Sequence, residues 1–132
     1  MTPALERVCS VLDACPDVEL AIVYGSVAAG AAGPESDLDI AVTGRQRLSA
    51  DQRMALVEAL ARSTGRPVDL VDLRDVHGPL LAEILRTGVR VLERDVTLYG
   101  TVLSRHLLDE ADFRPYRDRI LADRRRAWIG AS

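Results

Sequence analysis

The residues best suited to chemistry lie in one stretch of the chain, residues 24–40, which reads YGSVAAGAAGPESDLDI. It holds Gly25 and Ser26, then ten residues, then Asp37 and Asp39 with one leucine between them. Because side chains alternate faces along a strand, this spacing puts the two carboxylates side by side. At roughly 4 Å and an effective dielectric near 20, they would repel each other by about 4 kcal/mol. A hard cation such as Mg²⁺, which prefers oxygen ligands, would relieve that repulsion.

The Gly25-Ser26 pair has the complementary chemistry. Glycine lets a phosphate approach the backbone closely, and a serine that opens a short helix leaves free N–H groups aimed at an anion. A phosphate site that faces a metal site predicts chemistry on a nucleotide. The alternative is an ordinary turn followed by a solvated strand edge that carries the aspartates.

Two predicted strands position these residues and favour the chemical reading. Residues 19–24 (ELAIVY) lead into the glycine, and residues 38–43 (LDIAVT) lead away from the aspartates. Both are apolar runs of strand length. A third strand is predicted at residues 68–73 (VDLVDL), where Asp69 and Asp72 are three residues apart and therefore face opposite sides. Only one of them can join the first two carboxylates.

The remaining segments predict helices around the sheet. Thr2 can cap a first helix, Ser49 and Gln52 form a capping box for another, Gly65 can end that helix, and Asp95 can cap the last. Helical spacing predicts the apolar stripe of the helix that begins after Ser49, which consists of Met54, Leu56, Val57, Leu60 and Ala61. Residues 89–93 (VRVLE) predict a fourth strand near the sheet edge, because charged residues interrupt it.

The fold class predicted is therefore α/β, a small mixed β-sheet of about four strands flanked by helices, with a helical C-terminal extension. A chain of 132 residues with 48% apolar content suffices for one domain. Within that domain we predict a core at residues 1–94 and the extension at residues 95–132.

Composition narrows the partners and the compartment. A net charge of −3 with interspersed signs predicts no direct nucleic-acid binding. The sequence shows no apolar run of about 18 residues and no leader pattern, which predicts neither membrane insertion nor secretion. Cys9 and Cys15 are predicted to lie on one helix about 240° apart, so they cannot form a disulfide within it. A reducing cytoplasm is the expected location.

Residues 25–39 match the G-S-x(10)-D-x-D signature of the DNA polymerase β-like nucleotidyltransferase superfamily, in spacing as well as in residue types. The chain as a whole resembles one branch, the minimal nucleotidyltransferase (MNT) antitoxins that are encoded beside HEPN ribonuclease toxins. The likeness extends through the segments GRPVDLVDL and ILRTGVRVLERD. It implies a polymerase β-like nucleotidyltransferase fold, two Mg²⁺ ions, and transfer of AMP from ATP to a tyrosine of the toxin, with which the antitoxin forms a hetero-oligomer.

The resemblance also implies roles for individual residues. Asp37, Asp39 and Asp69 would be the catalytic and metal-binding residues, and Gly25 and Ser26 would bind the nucleotide. Asp69 is preferred to its neighbour three residues on because the family places its third acid in an apolar-D-L-V context, which residues 68–71 match.

The sequence departs from the family at Ala29, where many relatives carry an arginine that can contact the polyphosphate. Arg45 or Arg47, in the loop after the second strand, is the candidate to replace that cation. The tail, residues 112–128, combines aromatic residues with arginines, a composition that predicts docking of a partner. A solvated helix end is the alternative for its arginine run.

Two other functions remain open at this level. One is a non-catalytic antitoxin that binds the toxin and occludes its active site. The other is an adenylyltransferase that modifies a small molecule of the antibiotic type, although the chain shows no added substrate domain. Against the non-catalytic antitoxin, Gly25, Ser26, Asp37, Asp39 and Asp69 are all intact, whereas a decayed site would be expected to lose a carboxylate.

Overall fold

A four-stranded mixed sheet forms the centre of the computed structural model, which describes residues 1–110. The strands are β1 (Leu20–Tyr24), β2 (Leu38–Thr43), β3 (Val68–Asp72) and β4 (Val89–Glu93). The helices are α1 (Pro3–Asp13), α2 (Gly25–Ala28), α3 (Ala50–Thr64), α4 (Gly78–Thr87) and α5 (96–110), and a short 3₁₀ helix covers Leu73–Asp75. The predicted class, α/β with a mixed sheet of four strands, is confirmed.

The strands are arranged in the order β3-β2-β1-β4. β1 pairs antiparallel with both β2 and β4, and β2 pairs parallel with β3 through the connection that contains α3. β4 therefore lies at an edge, as its charged residues predict. Because β1 ends where β2 begins, the residues that follow β1 and those that precede β2 meet at one end of the sheet.

Each face of the sheet carries its own apolar core. β1 is buried along its whole length and contributes alternate residues to the two sides, as strand geometry requires. One core packs α1 and α3 onto the sheet and includes Leu5, Val8, Leu12, Ala21, Val23, Ile40, Leu56 and Leu60. The other packs α4 and α5 onto the opposite face and includes Leu20, Ile22, Tyr24, Leu81, Ile84 and Val102.

The helix ends form where the local sequence predicts them. Thr2 Oγ1 accepts a hydrogen bond from Leu5 N at the start of α1. Ser49 and Gln52 make both bonds of the capping box at the start of α3, and Gly65 ends that helix in the left-handed conformation. These caps confirm that short-range signals determine where the chain enters and leaves each helix.

Two local predictions are wrong. Met54 is 62% exposed, because it lies 200° around α3 from buried Leu56 and so points away when Leu56 points to the sheet. Cys15 lies beyond α1, which ends at Asp13, so the two cysteines do not share a helix. Both Cys9 and Cys15 are nevertheless free thiols.

α5 joins the core through packing and through an arginine. Leu98, Tyr99 and Val102 pack in the core on the α4 side of the sheet. Arg105 Nη2 donates to the backbone carbonyl of Leu73 at 2.6 Å, at the 3₁₀ helix. The division of the chain at residue 94 stays a prediction, and the tail predicted to dock a partner lies outside the described residues. No helix in the described part of the chain is long and apolar enough to cross a membrane.

Candidate active site

Three neighbouring strands place Tyr24, Asp39 and Asp69 in one row across the sheet. Asp39 on β2 is the register partner of Tyr24 on β1 and of Asp69 on β3. Register partners point to the same face, and adjacent strands lie about 4.8 Å apart. The structure thus brings together the two acids that come from distant parts of the sequence.

Asp37 stands beside this row, one residue before β2 begins. Its carboxylate is close enough to Asp39 for the two charges to interact. All three acids predicted from the sequence therefore lie at the same end of the sheet, next to the turn that carries Gly25. Asp37 and Asp69 are exposed, whereas Asp39 is partly buried between its neighbours.

The pKa of Asp39 is raised above its ordinary value. Burial is the largest cause, followed by the negative charges of Asp69, Asp37 and then Glu83 on α4. None of the salt bridges among residues 1–110 involves Asp37, Asp39 or Asp69. The site is thus an uncompensated cluster of acids, which is the electrostatic setting that a bound cation would neutralise.

Tyr24 contributes a phenol to the same cluster. Burial, and then the charges of Asp69, Asp39 and Glu83, raise its pKa to about 12. The side chain is 6% exposed and packs in the core on the α4 side of the sheet. Its hydroxyl therefore stays protonated at neutral pH and can act as a hydrogen-bond donor toward the acids.

Gly25 is required at its position for two separate reasons. Its φ is +72°, a conformation that side-chain-bearing residues rarely adopt. A Cβ atom built on it would also collide with the Asp39 carboxylate, with Oδ2 as the nearest atom. The glycine thus allows the start of α2, with Ser26 in its first turn, to lie directly against the second acid of the pair.

The donor set fits Mg²⁺, which typically takes one or two protein carboxylates and keeps water and substrate phosphate oxygens in its shell. Asp37, Asp39 and Asp69 supply only oxygen ligands, at the edge of a turn that leaves room for a phosphate. Within residues 1–110, no three His, Cys, Asp or Glu side chains already converge on a single point. Water and nucleotide oxygens would therefore complete the coordination.

Arg45 and Arg47 do not lie at this site. They follow Thr43, the last residue of β2, so the length of that strand separates them from Asp39 near its start. Arg47 Nη1 instead forms a salt bridge with Asp75 Oδ2 at 2.6 Å. The expectation that either arginine replaces the cation missing at Ala29 is therefore wrong.

Asp72 takes the structural role that its register predicts. It is 2% exposed, and its Oδ1 accepts a hydrogen bond of 2.9 Å from Arg74 N, which caps the 3₁₀ helix. Asp69, three residues earlier, faces the opposite side of β3 and is exposed beside Asp39. The two acids of the VDLVD strand thus divide into one at the site and one at a cap.

The family model described as polymerase beta, nucleotidyltransferase matches residues 6–97. This match covers the whole sheet and every site residue above. The chain belongs to the polymerase β nucleotidyltransferase family.

One relative among characterised proteins is the protein adenylyltransferase MntA of Shewanella oneidensis. It is 34% identical over 76 residues, which are 58% of this chain and 55% of MntA. The match thus spans about half the length of that relative. That relative is a nucleotidyltransferase that acts on a protein.

Solved structures extend the likeness over more of the nucleotidyltransferase chain. A crystal structure of a toxin–antitoxin with AMP-PNP matches at 26% identity and a TM-score of 0.69, covering 89% of this chain and 98% of the other. A tri-AMPylated Shewanella oneidensis HEPN toxin in complex with its MNT antitoxin matches at 24% identity and a TM-score of 0.64, covering 89% and 96%. The second likeness shows the fold alone.

Sequence reasoning missed two groups of this nucleotidyltransferase site. Tyr24 directly precedes the glycine, and the antiparallel pairing of β1 with β2 would have placed it opposite Asp39. Glu83 had no such signal, because its place near the acids depends on how α4 packs against β1. The tertiary arrangement alone identifies it.

Replacing Gly25 with alanine is expected to lower nucleotidyl transfer by about 100-fold or more, since even residues that only orient metal ligands account for about 10- to 100-fold. The new Cβ would displace the Asp39 carboxylate. The measurement is the initial rate of nucleotide incorporation into the acceptor at saturating nucleotide.

Gly30→Ala is the matched control for this substitution. Gly30 has a φ of +71°, but a Cβ there meets nothing within 4 Å. Both variants carry the same backbone strain, and only the first disturbs the acid. Equal rates for the two variants would show that the contact between Gly25 and Asp39 is unimportant.

Proposed function

We propose that this chain is a protein adenylyltransferase that acts as an antitoxin. In this proposal it transfers AMP from ATP to a hydroxyl, that of a tyrosine, on a cognate HEPN ribonuclease toxin and thereby neutralises it. The observation that carries the proposal is the register of β1, β2 and β3, which aligns Asp39 with Asp69 next to the turn at Gly25. The relationship to MntA, a protein adenylyltransferase, supports the choice of AMP and of a protein acceptor.

The acids of the sheet would hold two Mg²⁺ ions. Asp37 and Asp39 would bind one, and Asp69 would share the second with them. When bound, such ions neutralise the phosphate oxygens and lower the pKa of the attacking hydroxyl. Burial is the largest cause of the raised pKa of Asp39, and the charges of Asp69 and Asp37 add to it. That added repulsion supports this role, because a bound cation would offset it.

The turn at Gly25 and Ser26 would receive the triphosphate. Backbone N–H groups at the first turn of α2 are free of intrahelical partners and can donate to phosphate oxygens. The absence of a side chain at Gly25 lets the phosphates approach the acids that hold the metal. Ala29 supplies no cation, so the ions that Asp37, Asp39 and Asp69 would hold would balance the charge of ATP.

The transfer itself is an in-line displacement at the α-phosphorus. The hydroxyl oxygen of the acceptor forms the new P–O bond, and the bond to the β-phosphate bridging oxygen breaks, so pyrophosphate leaves. Asp69, exposed at the rim of the site, is the candidate to take the hydroxyl proton. Asp39, which is more buried, lies between Asp69 and Tyr24.

The partner assignment rests on likeness to complexes. The toxin–antitoxin structure with AMP-PNP that is 26% identical covers 89% of this chain and contains an ATP analogue. The acids and the glycine of this chain are intact, which favours a catalytic antitoxin over one that acts by occlusion alone.

The test is transfer of label from [α-³²P]ATP to a purified HEPN protein from the same genome. Wild-type protein with Mg²⁺ is expected to label the toxin on tyrosine, as mapped by mass spectrometry, and to abolish its ribonuclease activity. EDTA should prevent both effects. Loss of ribonuclease activity without label would instead establish occlusion, and label on a small hydroxylated antibiotic but not on the toxin would establish the other alternative.

A further inference from the structure

A single arginine ties the loop before Asp37 to the third strand. Arg66, in the connection between α3 and β3, donates from Nη1 to the carbonyl oxygen of Gly33 at 2.6 Å and to that of Ser36 at 3.0 Å. The residues that it holds belong to the loop from α2 to β2. One guanidinium nitrogen thus connects the phosphate side of the site to the strand that carries Asp69.

The loop makes its own compact turn, which the arginine closes from outside. Ser36 N donates to the carbonyl of Gly33 at 3.2 Å, and Gly33 N donates to Ser36 Oγ at 3.0 Å. Just beyond, Leu38 N donates to the carbonyl of Pro67 at 2.8 Å. The backbone is therefore held on both sides of Asp37, and both external attachments come from consecutive residues, Arg66 and Pro67.

Asp37 needs this support more than the other two acids. Asp39 and Asp69 lie inside strands whose hydrogen-bonded ladders fix their backbones, whereas Asp37 precedes β2 and is exposed. Repulsion from its neighbours pushes it away from the cluster, since like charges this close destabilise one another. Without a tie, the loop could move outward and relieve that repulsion.

We propose that Arg66 is a positioning residue, whose two hydrogen bonds to the carbonyls of Gly33 and Ser36 hold Asp37 beside Asp39 for binding of a divalent cation. The inference rests on the proposed function and adds to it a residue outside the acid cluster. The bonds are charge-assisted on the donor side, which makes them stronger than neutral ones. Arg66 acts through the loop and does not touch the reacting atoms.

The variants that test this are Arg66→Gln, Arg66→Lys and the control Arg62→Gln. Glutamine removes the charge and shortens the reach. Lysine keeps a charged group that can donate to more than one carbonyl, so it should restore part of the function. Arg62 is an exposed arginine in the last turn of α3, so its substitution controls for the loss of one positive charge nearby.

The first readout is binding of Mn²⁺ in the presence of AMP-PNP, measured by electron paramagnetic resonance. We expect Arg66→Gln to weaken Mn²⁺ binding about 10-fold, within the range found for residues that orient metal ligands. Arg66→Lys should recover part of this loss, and Arg62→Gln should match the wild type. Equal Mn²⁺ affinity in wild type and Arg66→Gln would overturn the proposal.

The second readout is amide hydrogen exchange in residues 31–38, followed in the absence of metal. Arg66→Gln should accelerate exchange in this segment while β1 and α1 keep their protection, because only the tie to the loop is lost. A uniform rise over the whole chain would indicate general destabilisation and would count against a positioning role. If the glutamine variant does not fold, the lysine variant decides by the same two measurements, and wild-type behaviour in both overturns the proposal.

These readouts separate this inference from the proposed function. Neither one needs a toxin or a transfer reaction. If the wild type binds Mn²⁺ but labels no toxin, the adenylyltransferase proposal fails, and the positioning role of Arg66 can still be measured. If the wild type transfers AMP and Arg66→Gln does so with unchanged kcat and metal affinity, only the proposed positioning role of Arg66 fails.

Discussion

Replacing Asp39 with asparagine is expected to reduce the proposed AMP transfer by at least about 100-fold while the fold stays intact, because Asp39 is proposed to bind the metal and loss of a metal ligand costs more than loss of a residue that orients one. Asparagine keeps the shape of the side chain and removes its charge. Asp39 is the central member of the row, with Tyr24 on one side and Asp69 on the other. No other acid at the site can take its place without a change of strand register.

The same substitution is expected to raise thermal stability when no divalent metal is present. The pKa of Asp39 is raised in the folded state by burial and by the charges of Asp69, Asp37 and Glu83. A raised folded-state pKa means that the stability contribution is present at low pH and is lost as pH rises through that pKa. At neutral pH the ionised Asp39 therefore destabilises the fold, and asparagine removes that effect.

The sign of the pH dependence follows directly. The melting temperature of Asp39→Asn should exceed that of the wild type at pH 7 in EDTA, and the difference should shrink as pH falls through the raised pKa of Asp39 and be gone below about 4, the ordinary pKa of aspartate. Added Mg²⁺ should stabilise the wild type and leave the variant unchanged. Glu58→Gln, an exposed carboxylate on α3, serves as the control for charge removal.

Two results would contradict this account. One is wild-type labelling of the toxin by Asp39→Asn, which would remove Asp39 from the site. The other is a melting temperature of Asp39→Asn below that of the wild type at pH 7 in EDTA, which would show that the carboxylate stabilises the fold. Scanning calorimetry and the labelling assay provide both measurements on the same preparations.

The sequence alone predicts the part of the site formed by Gly25, Asp37 and Asp39, because the rules involved concern only neighbouring residues. The period-2 alternation of a strand places Asp37 and Asp39 on one side, and the turn chemistry of Gly25 needs no knowledge of distant residues. Caps such as Thr2 and Ser49 depend on three or four neighbouring residues. The caps and the positive φ of Gly25 are confirmed because no tertiary contact competes with them.

The positions of Asp69, Glu83 and Arg66 depend on packing that the sequence does not reveal. Whether Asp69 or Asp72 reaches Asp39 depends on the register of a parallel pair whose strands are joined through a whole helix. Family resemblance, not alternation, chose between them. The position of Glu83 depends likewise on the docking of α4, and that of Arg66 on the path of a loop 30 residues away.

The failed expectations have the same origin. Met54 is apolar, but its angle on α3 directs it to solvent. Arg45 and Arg47 carry the right charge, but β2 takes them to the far end of the sheet. In each case the residue has the chemical type that the prediction requires, but the fold places it away from the predicted position.

The two acids of β3 offer the sharpest remaining test, because the structure gives them opposite roles. Asp69→Ala is expected to lower AMP transfer by about 100-fold or more and to leave the free energy of unfolding unchanged or slightly higher. Asp69 is exposed, and its removal relieves repulsion on Asp39. Asp72→Ala should instead keep the rate of transfer and destabilise the fold.

The cost at Asp72 comes from a buried cap. Asp72 is 2% exposed, and its Oδ1 accepts a hydrogen bond from the backbone N–H of Arg74 at 2.9 Å. Loss of such a cap costs about 1–2 kcal/mol, since the N–H is left without its acceptor. Urea denaturation followed by circular dichroism measures this cost, and the labelling assay run well below the transition measures the rate. If Asp72→Ala lost transfer at unchanged stability while Asp69→Ala remained active, the opposite face of β3 would carry the chemistry, and the register of Asp39 with Asp69 would have no catalytic meaning.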